Sequence, residues 1–111
     1  MAFSIVSDSA TIGTTEYSLP NDSTSLTPQT DDCILQVFID FAAMTVTEEY
    51  QVKVYETVVT TQRLVSVVNV VGAQSLLFVT PTLIMATGWD VTVKKIAGTD
   101  RSIVWTIRKI T

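Results

Sequence analysis

Residues 88–111 run Gly88-Trp89-Asp90-Val91-Thr92-Val93-Lys94-Lys95-Ile96-Ala97-Gly98-Thr99-Asp100-Arg101-Ser102-Ile103-Val104-Trp105-Thr106-Ile107-Arg108-Lys109-Ile110-Thr111. Trp89, Val91 and Val93 are apolar, whereas Asp90, Thr92 and Lys94 are polar. That alternation marks a strand with one buried face. Ile103, Trp105 and Ile107 form a second apolar set, with Thr106 and Arg108 on the other side. Between them, Ala97-Gly98-Thr99-Asp100-Arg101 carries turn residues. The stretch therefore reads as a β-hairpin. Directly opposed residues of an antiparallel pair share a face, so a loop centred on Thr99 sets Val91 against Ile107 and Val93 against Trp105. Thr92 then meets Thr106, and Asp90 pairs with Arg108 outside. A slip by one residue would bury three charges, which specifies the register. Trp89 and Trp105 are assigned to the core, and Asp90 and Arg108 to an exposed structural ion pair.

The rest of the chain repeats this pattern. Phe3 to Ile12, Glu16 to Leu19, Cys33 to Phe41, Glu49 to Thr57 and Leu64 to Val71 read as strands. Leu76 to Val79 and Leu83 to Ala86 read as short ones around Pro81, which cannot donate to a ladder. Ala42 to Glu48 reads as a connection with room for one helical turn, and Thr60 to Arg63 as a turn. Pro20 to Asp32 is polar and Pro-punctuated, a long loop or an arm that lies on a neighbour. About eight strands at roughly ten-residue spacing predict an all-β fold. The expected form is a single-domain antiparallel two-sheet β-sandwich over residues 1–111. A jelly roll is one version of it, and a small barrel is the alternative.

Composition narrows the chemistry. The chain has 111 residues, 47% of them apolar, which is too many for a disordered segment. It contains no histidine and one cysteine, Cys33. A Ser–His or Cys–His nucleophile cannot be built, nor can an internal disulfide or a Cys/His metal site. Cys33 falls within an apolar strand pattern and reads as a small buried hydrophobe. No Gly-rich phosphate loop occurs. Asp31-Asp32 and Glu48-Glu49 are adjacent carboxylates, of the kind that strand starts and loops expose to solvent. Asp22, Asp31 and Asp32 lack the ordered spacing of a calcium loop. The expectation is no enzyme, no cofactor and no metal. Tyr17, Tyr50, Tyr55, Trp89 and Trp105 could in principle line a sugar platform, but the two tryptophans belong to the apolar face.

Charge is lopsided. Residues 1–50 hold eight acids (Asp8, Glu16, Asp22, Asp31, Asp32, Asp40, Glu48, Glu49) and no base, while residues 51–111 hold seven bases and three acids. The halves carry about −8 and +4, so acidic and basic surfaces are expected to face each other, within the fold or between copies. A net charge of −4 argues against nucleic-acid binding. No stretch approaches the ~20 apolar residues of a membrane helix. The N-terminus lacks a basic start and a continuous apolar run, so a secretory signal is not expected and folding in a cytoplasm is. If there is a partner surface, the 20–32 segment and the acid-rich half are where to expect it, at Asp22, Asp31, Asp32, Glu48 and Glu49.

The stretches Gly88 to Lys95, Ala97 to Ile103 and Trp105 to Lys109 resemble the ending of a family of small proteins encoded among the structural genes of tailed bacteriophages. Ile12-Gly13-Thr14-Thr15-Glu16-Tyr17-Ser18-Leu19 and Gln36-Val37-Phe38-Ile39-Asp40 resemble its earlier segments. The resemblance spans most of the chain, and its motifs are structural rather than catalytic. It implies a small β-domain of the virion, made in the host cytoplasm. A head decoration or cement protein comes first and a neck or tail component second. The partners it implies are the major capsid protein, other virion proteins and further copies of the chain. A receptor- or carbohydrate-binding β-module is the alternative drawn from the aromatics.

Overall fold

In a computed structural model that describes residues 2–111, nine strands form two antiparallel sheets, with no helix among the described residues. The strands are β1 (Phe3–Ile12), β2 (Tyr17–Ser18), β3 (Cys33–Asp40), β4 (Glu49–Val58) and β5 (Thr61–Val71). Then follow β6 (Phe78–Val79), β7 (Leu83–Met85), β8 (Asp90–Ala97) and β9 (Arg101–Ile110). One sheet runs β1-β9-β3, with β6 and β7 both on the far edge of β3; the other runs β2-β8-β4-β5. The sheets stay open as a sandwich and do not close into a barrel.

The strand pairing has a simple logic. Counting β6 and β7 as one interrupted strand, β1 pairs with β9, β2 with β8, β3 with β6/β7, and β4 with β5. The chain is one long hairpin whose tip is the β4–β5 turn. Rolling that hairpin adds the β3–β9 and β4–β8 ladders. This is the jelly-roll arrangement. Pro81 causes the interruption between β6 and β7, because it has no N–H to give. Thr80 fills in: its amide donates to the Val37 carbonyl at 3.0 Å, and its hydroxyl accepts from the Val37 amide at 3.0 Å.

The apolar alternation assigned the inner faces correctly. Trp89, Val91, Val93, Ile103, Trp105 and Ile107 are all buried, packed with Val37, Ile39, Phe41, Tyr50 and Val52. The expected hairpin does not form, however. β8 has β2 and β4 on its two sides, and β9 has β1 and β3, so neither strand has an edge left for the other. Thr106 lies opposite Ser7, with their hydroxyl oxygens 3.0 Å apart, and not opposite Thr92. The Asp90–Arg108 pair is likewise absent, because the two residues belong to different sheets. Asp90 is buried, and Arg108 lies exposed on the other sheet with its guanidinium 4.1 Å from the Phe38 ring centroid.

Two smaller expectations also change. The connection before β4 makes two tight turns, Phe41–Met44 and Thr45–Glu48, in place of a helical turn. The β4–β5 turn is Val59-Thr60, so β5 begins three residues earlier than the apolar pattern suggested. Val59 sits there at φ 65°, a conformation that is strained for a β-branched residue.

The topology has a direct chemical test. A Ser7→Cys/Thr106→Cys double variant should form an intramolecular disulfide under mild oxidation, because the two residues are opposed across β1 and β9. Thr92→Cys/Thr106→Cys, opposed only in the simple hairpin, should stay reduced within the monomer. Mass spectrometry of alkylated protein distinguishes the two.

Candidate interaction surface

The register places the side chains on the outer face of the β1-β9-β3 sheet in rows. The first row is Phe3, Ile110, Ile34 and Ile84, apolar across four strands. The second is Ile5, Arg108 and Gln36, and the third is Ser7, Thr106, Phe38 and Val79. Phe3, Ile5 and Ile84 are 64%, 57% and 82% exposed. The outward face of a sandwich strand is ordinarily polar; here one fully apolar row and the apolar Ile5, Phe38 and Val79, interspersed with Arg108, Gln36, Ser7 and Thr106, make up a face of order ~400 Å² by strand spacing. Patches of that size on a monomer are often contact sites. Arg108 stacked on Phe38 stands in the middle, and Arg and aromatic residues are favoured interface types. Shallow hollows of about 210 and 180 Å³ lie on either side of that stack. The sequence reading missed this surface. Its signal was the outward-facing Phe3 and Ile5 of β1, and Ile34 of β3, a strand whose other face of Cys33, Leu35, Val37 and Ile39 is also apolar.

The acidic residues expected to meet a partner all have partners inside the fold. Tyr17 donates its hydroxyl to Asp22 at 2.6 Å; burial and that carboxylate push the tyrosine up to about 12. Asp31 pairs with Lys109 at 2.7 Å, which holds its carboxyl below the usual range, and its carbonyl accepts the Trp89 indole N–H at 2.9 Å. Asp32 accepts from the Thr87 amide at 2.8 Å, and Glu49 from the Asn69 amide nitrogen at 2.6 Å. The 20–32 segment lies against its own domain. The Gln29 and Trp89 backbones bridge, and Gly88 donates to the Gln29 carbonyl at 2.6 Å. Among the described residues, three of the four ion pairs join a first-half acid to a second-half base: Glu16–Lys53, Asp31–Lys109 and Glu48–Arg101. The opposed charges therefore face each other within the fold.

Glu48 departs furthest from its expected solvated place. It is 1% exposed. Its carboxylate accepts from the Thr45 amide at 2.6 Å, the Thr99 amide at 2.9 Å and the Arg101 Nε at 2.8 Å. Burial pushes this carboxyl up, but those donors outweigh it and hold it at about 2. A neighbouring hydroxyl completes the corner. Tyr50 donates to the Ile12 carbonyl at 2.8 Å and accepts from the Arg101 amide at 2.8 Å.

A second buried polar cluster lies on the outer face of β8 beneath the 16–21 stretch. Asp90 accepts from the Ser18 hydroxyl at 2.7 Å and from the Val91 amide at 2.8 Å. Glu16 accepts from Thr92 and, at 2.6 Å, from the Tyr55 hydroxyl, with Lys53 3.9 Å away. Burial raises the Asp90 carboxyl to about 6, against the Ser18 and Val91 hydrogen bonds and with help from Glu16. Of the aromatics weighed as a sugar platform, Tyr50, Trp89 and Trp105 are buried, and Tyr55 is tied to Glu16. The Trp105 indole N–H is the single buried side-chain donor without an acceptor among the described residues. Cys33 is buried, and burial pushes its thiol up to about 11. No group of three or more His, Cys, Asp or Glu that could hold a metal occurs among the described residues.

No family model matches this chain, and neither a comparison with curated proteins nor one with solved structures returns a match.

The two buried carboxylates have opposite effects on stability. Asp90 is raised from 3.8 to about 6, so its contribution is full below about pH 4 and is lost as pH rises through 6. Glu48 is lowered from 4.5 to about 2, so its contribution is present above 4.5 and is lost as pH falls toward 2. Thermal unfolding should show stability rising by on the order of 2 kcal/mol from neutral pH to about pH 4.5. Asp90→Asn should remove most of that rise.

Proposed function

We propose that this protein is a structural subunit of a virion. In the first reading it is a decoration or cement protein that seats on a tailed-bacteriophage head and bridges coat subunits. The observation that carries the proposal is the apolar outer face of the β1-β9-β3 sheet, with Phe3, Ile34, Ile84 and Ile110 in one row and Arg108 on Phe38 beside it. A sandwich that worked alone would gain nothing from leaving that face bare. The resemblance of the 88–111 stretch to phage structural proteins supplies the particle, with the major capsid protein as partner and a neck or tail position as the second placement. The fold itself adds little, since jelly rolls serve capsids, lectins and cupins alike.

In this role the protein binds and performs no chemistry. Its rigid sandwich would present a preformed face, so docking would cost little ordering. The face would supply apolar burial and an arginine anchor, and the acids tied up inside the fold would contribute little to the contact.

Phage heads stripped of this protein should bind the purified chain and gain heat resistance. Ile34→Glu/Ile84→Lys should weaken that binding at least tenfold, with an unchanged melting temperature, because both residues are exposed in the free protein. Undiminished binding by the double variant would rule out this face as the contact.

A further inference from the structure

The four outer edges of the sandwich are unequally guarded. β2 is two residues long, and β6/β7 is broken at Pro81. β1 turns a charge inward at its middle, with Asp8 opposite the buried Trp105. Short edges, proline and inward charge are the usual devices against unwanted strand pairing. β5 lacks all three. It is the longest strand at 11 residues, and from Leu64 to Val71 it contains no charge and no proline. Its inner ladder to β4 runs from Glu49↔Val71 to Val58↔Thr61, with one bulge at Val65, and its other side has no partner among the described residues.

The side chains along that free edge are apolar on both faces. Ser66, Val68 and Val70 continue the inner face of Val54, Val52 and Tyr50; Val67, Asn69 and Val71 continue the outer face of Lys53, Gln51 and Glu49. Val65, Val67 and Val71 are 58%, 45% and 63% exposed. Beside β5 the two sheets gape. A slot of about 70 Å³ opens between Val65, Ser66 and Val68 on one side and Phe78, Pro81 and Leu83 on the other. Leu76 and Leu77 extend the same apolar flank.

We propose that β5 pairs with β5 of a second copy, antiparallel across a two-fold axis, so that the β2-β8-β4-β5 sheets of two molecules become one continuous sheet. The strand is self-complementary in that arrangement. Opposed residues must share a face, which requires a residue to face its own counterpart. With Val68 on the axis, Val67 meets Asn69 and Ser66 meets Val70, so the faces match. Arg63 falls beyond the paired segment, so no like charges meet between two molecules that each carry −4. A second copy is therefore favoured over a charged partner. The area is adequate. Seven residues, Val65 to Val71, at ~3.4 Å along a flank about 21 Å thick give ~500 Å² per copy, about the ~1,000 Å² total expected of a specific interface. The pairing uses a different surface from the one proposed for the particle, and it can hold or fail independently.

Sedimentation velocity on the full chain tests it. The expected result is a monomer–dimer equilibrium in the micromolar range. Val67→Lys should weaken it at least tenfold, and Leu26→Lys, an exposed residue of the 20–32 segment across the sheet from β5, should leave it unchanged. A second readout does not depend on how well a lysine is tolerated. Val68→Cys should give a reducible 68–68 disulfide dimer on oxidation, because two-fold paired residues lie within disulfide reach and the native Cys33 is buried. A wild-type chain that stays monomeric at high micromolar concentration would overturn the proposal. So would a dimer lost in Leu26→Lys but kept in Val67→Lys, or a Val68→Cys protein that does not cross-link.

Discussion

The buried carboxylate of Glu48 fixes the corner on which the rest of the fold depends. It gathers the Thr45 amide of the turn entering β4, the Thr99 amide of the β8–β9 loop and the Arg101 guanidinium at the start of β9. Gly98 must pass directly over it. That glycine has φ +97°, and a Cβ there would lie 2.4 Å from the Glu48 Cγ. The Tyr50 hydroxyl, two residues further on, ties the end of β1 to the same loop. These contacts carry the chain from one sheet to the other between Ala97 and Arg101, where a local hairpin would have kept it in one. An ionised carboxylate is costly to bury unless its oxygens are satisfied. Here they are, by donors from two distant stretches of sequence.

The crossing decides what the molecule leaves bare. With β8 and β9 in different sheets, β9 becomes the centre of the β1-β9-β3 sheet and sets Arg108, Ile110 and Val104 on its outer face. β8 becomes the centre of the other sheet, and its outer face is roofed by the stretch around Ser18 and Asn21, which buries Asp90 and Thr92. One sheet thus has a polar outer cover supplied by its own chain, and the other has an apolar outer face with no cover among the described residues. The β4–β5 pair, at the tip of the rolled hairpin, projects beyond the short β6 and β7 and leaves the flank open. The two proposed contacts arise from this one asymmetry.

Much of the fold was legible in the sequence because a period of two determines which side of a strand is buried. Trp89, Val91, Val93, Ile103, Trp105 and Ile107 were assigned to the interior on that ground, and they lie there. The same period cannot say which strand lies alongside. The apparent Asp90–Arg108 complementarity was therefore a coincidence of spacing, and the true partners of both strands come from 35 (Tyr55 to Asp90) to 107 (Phe3 to Ile110) residues away. Alternation also could not show that Asp90 is buried, since its cover comes from a remote loop. Glu48 and Glu49 look alike in sequence, yet one is at the corner and the other at a strand edge bonded to Asn69. The 20–32 segment looked free because its composition is polar, whereas backbone bonds to Gly88 and Trp89 hold it down. The apolar outer face went unread because Phe3 and Ile5 were counted as strand formers without asking which sheet they would share.

The central claim is that the uncovered face and the open edge are contact surfaces of an assembly. A cryo-electron microscopy map of particles carrying this protein tests it most directly. The account predicts Phe3, Ile34, Ile84 and Ile110 packed against the coat. A map in which that face of every copy points to solvent, with contacts made only through the 20–32 loop, would contradict it.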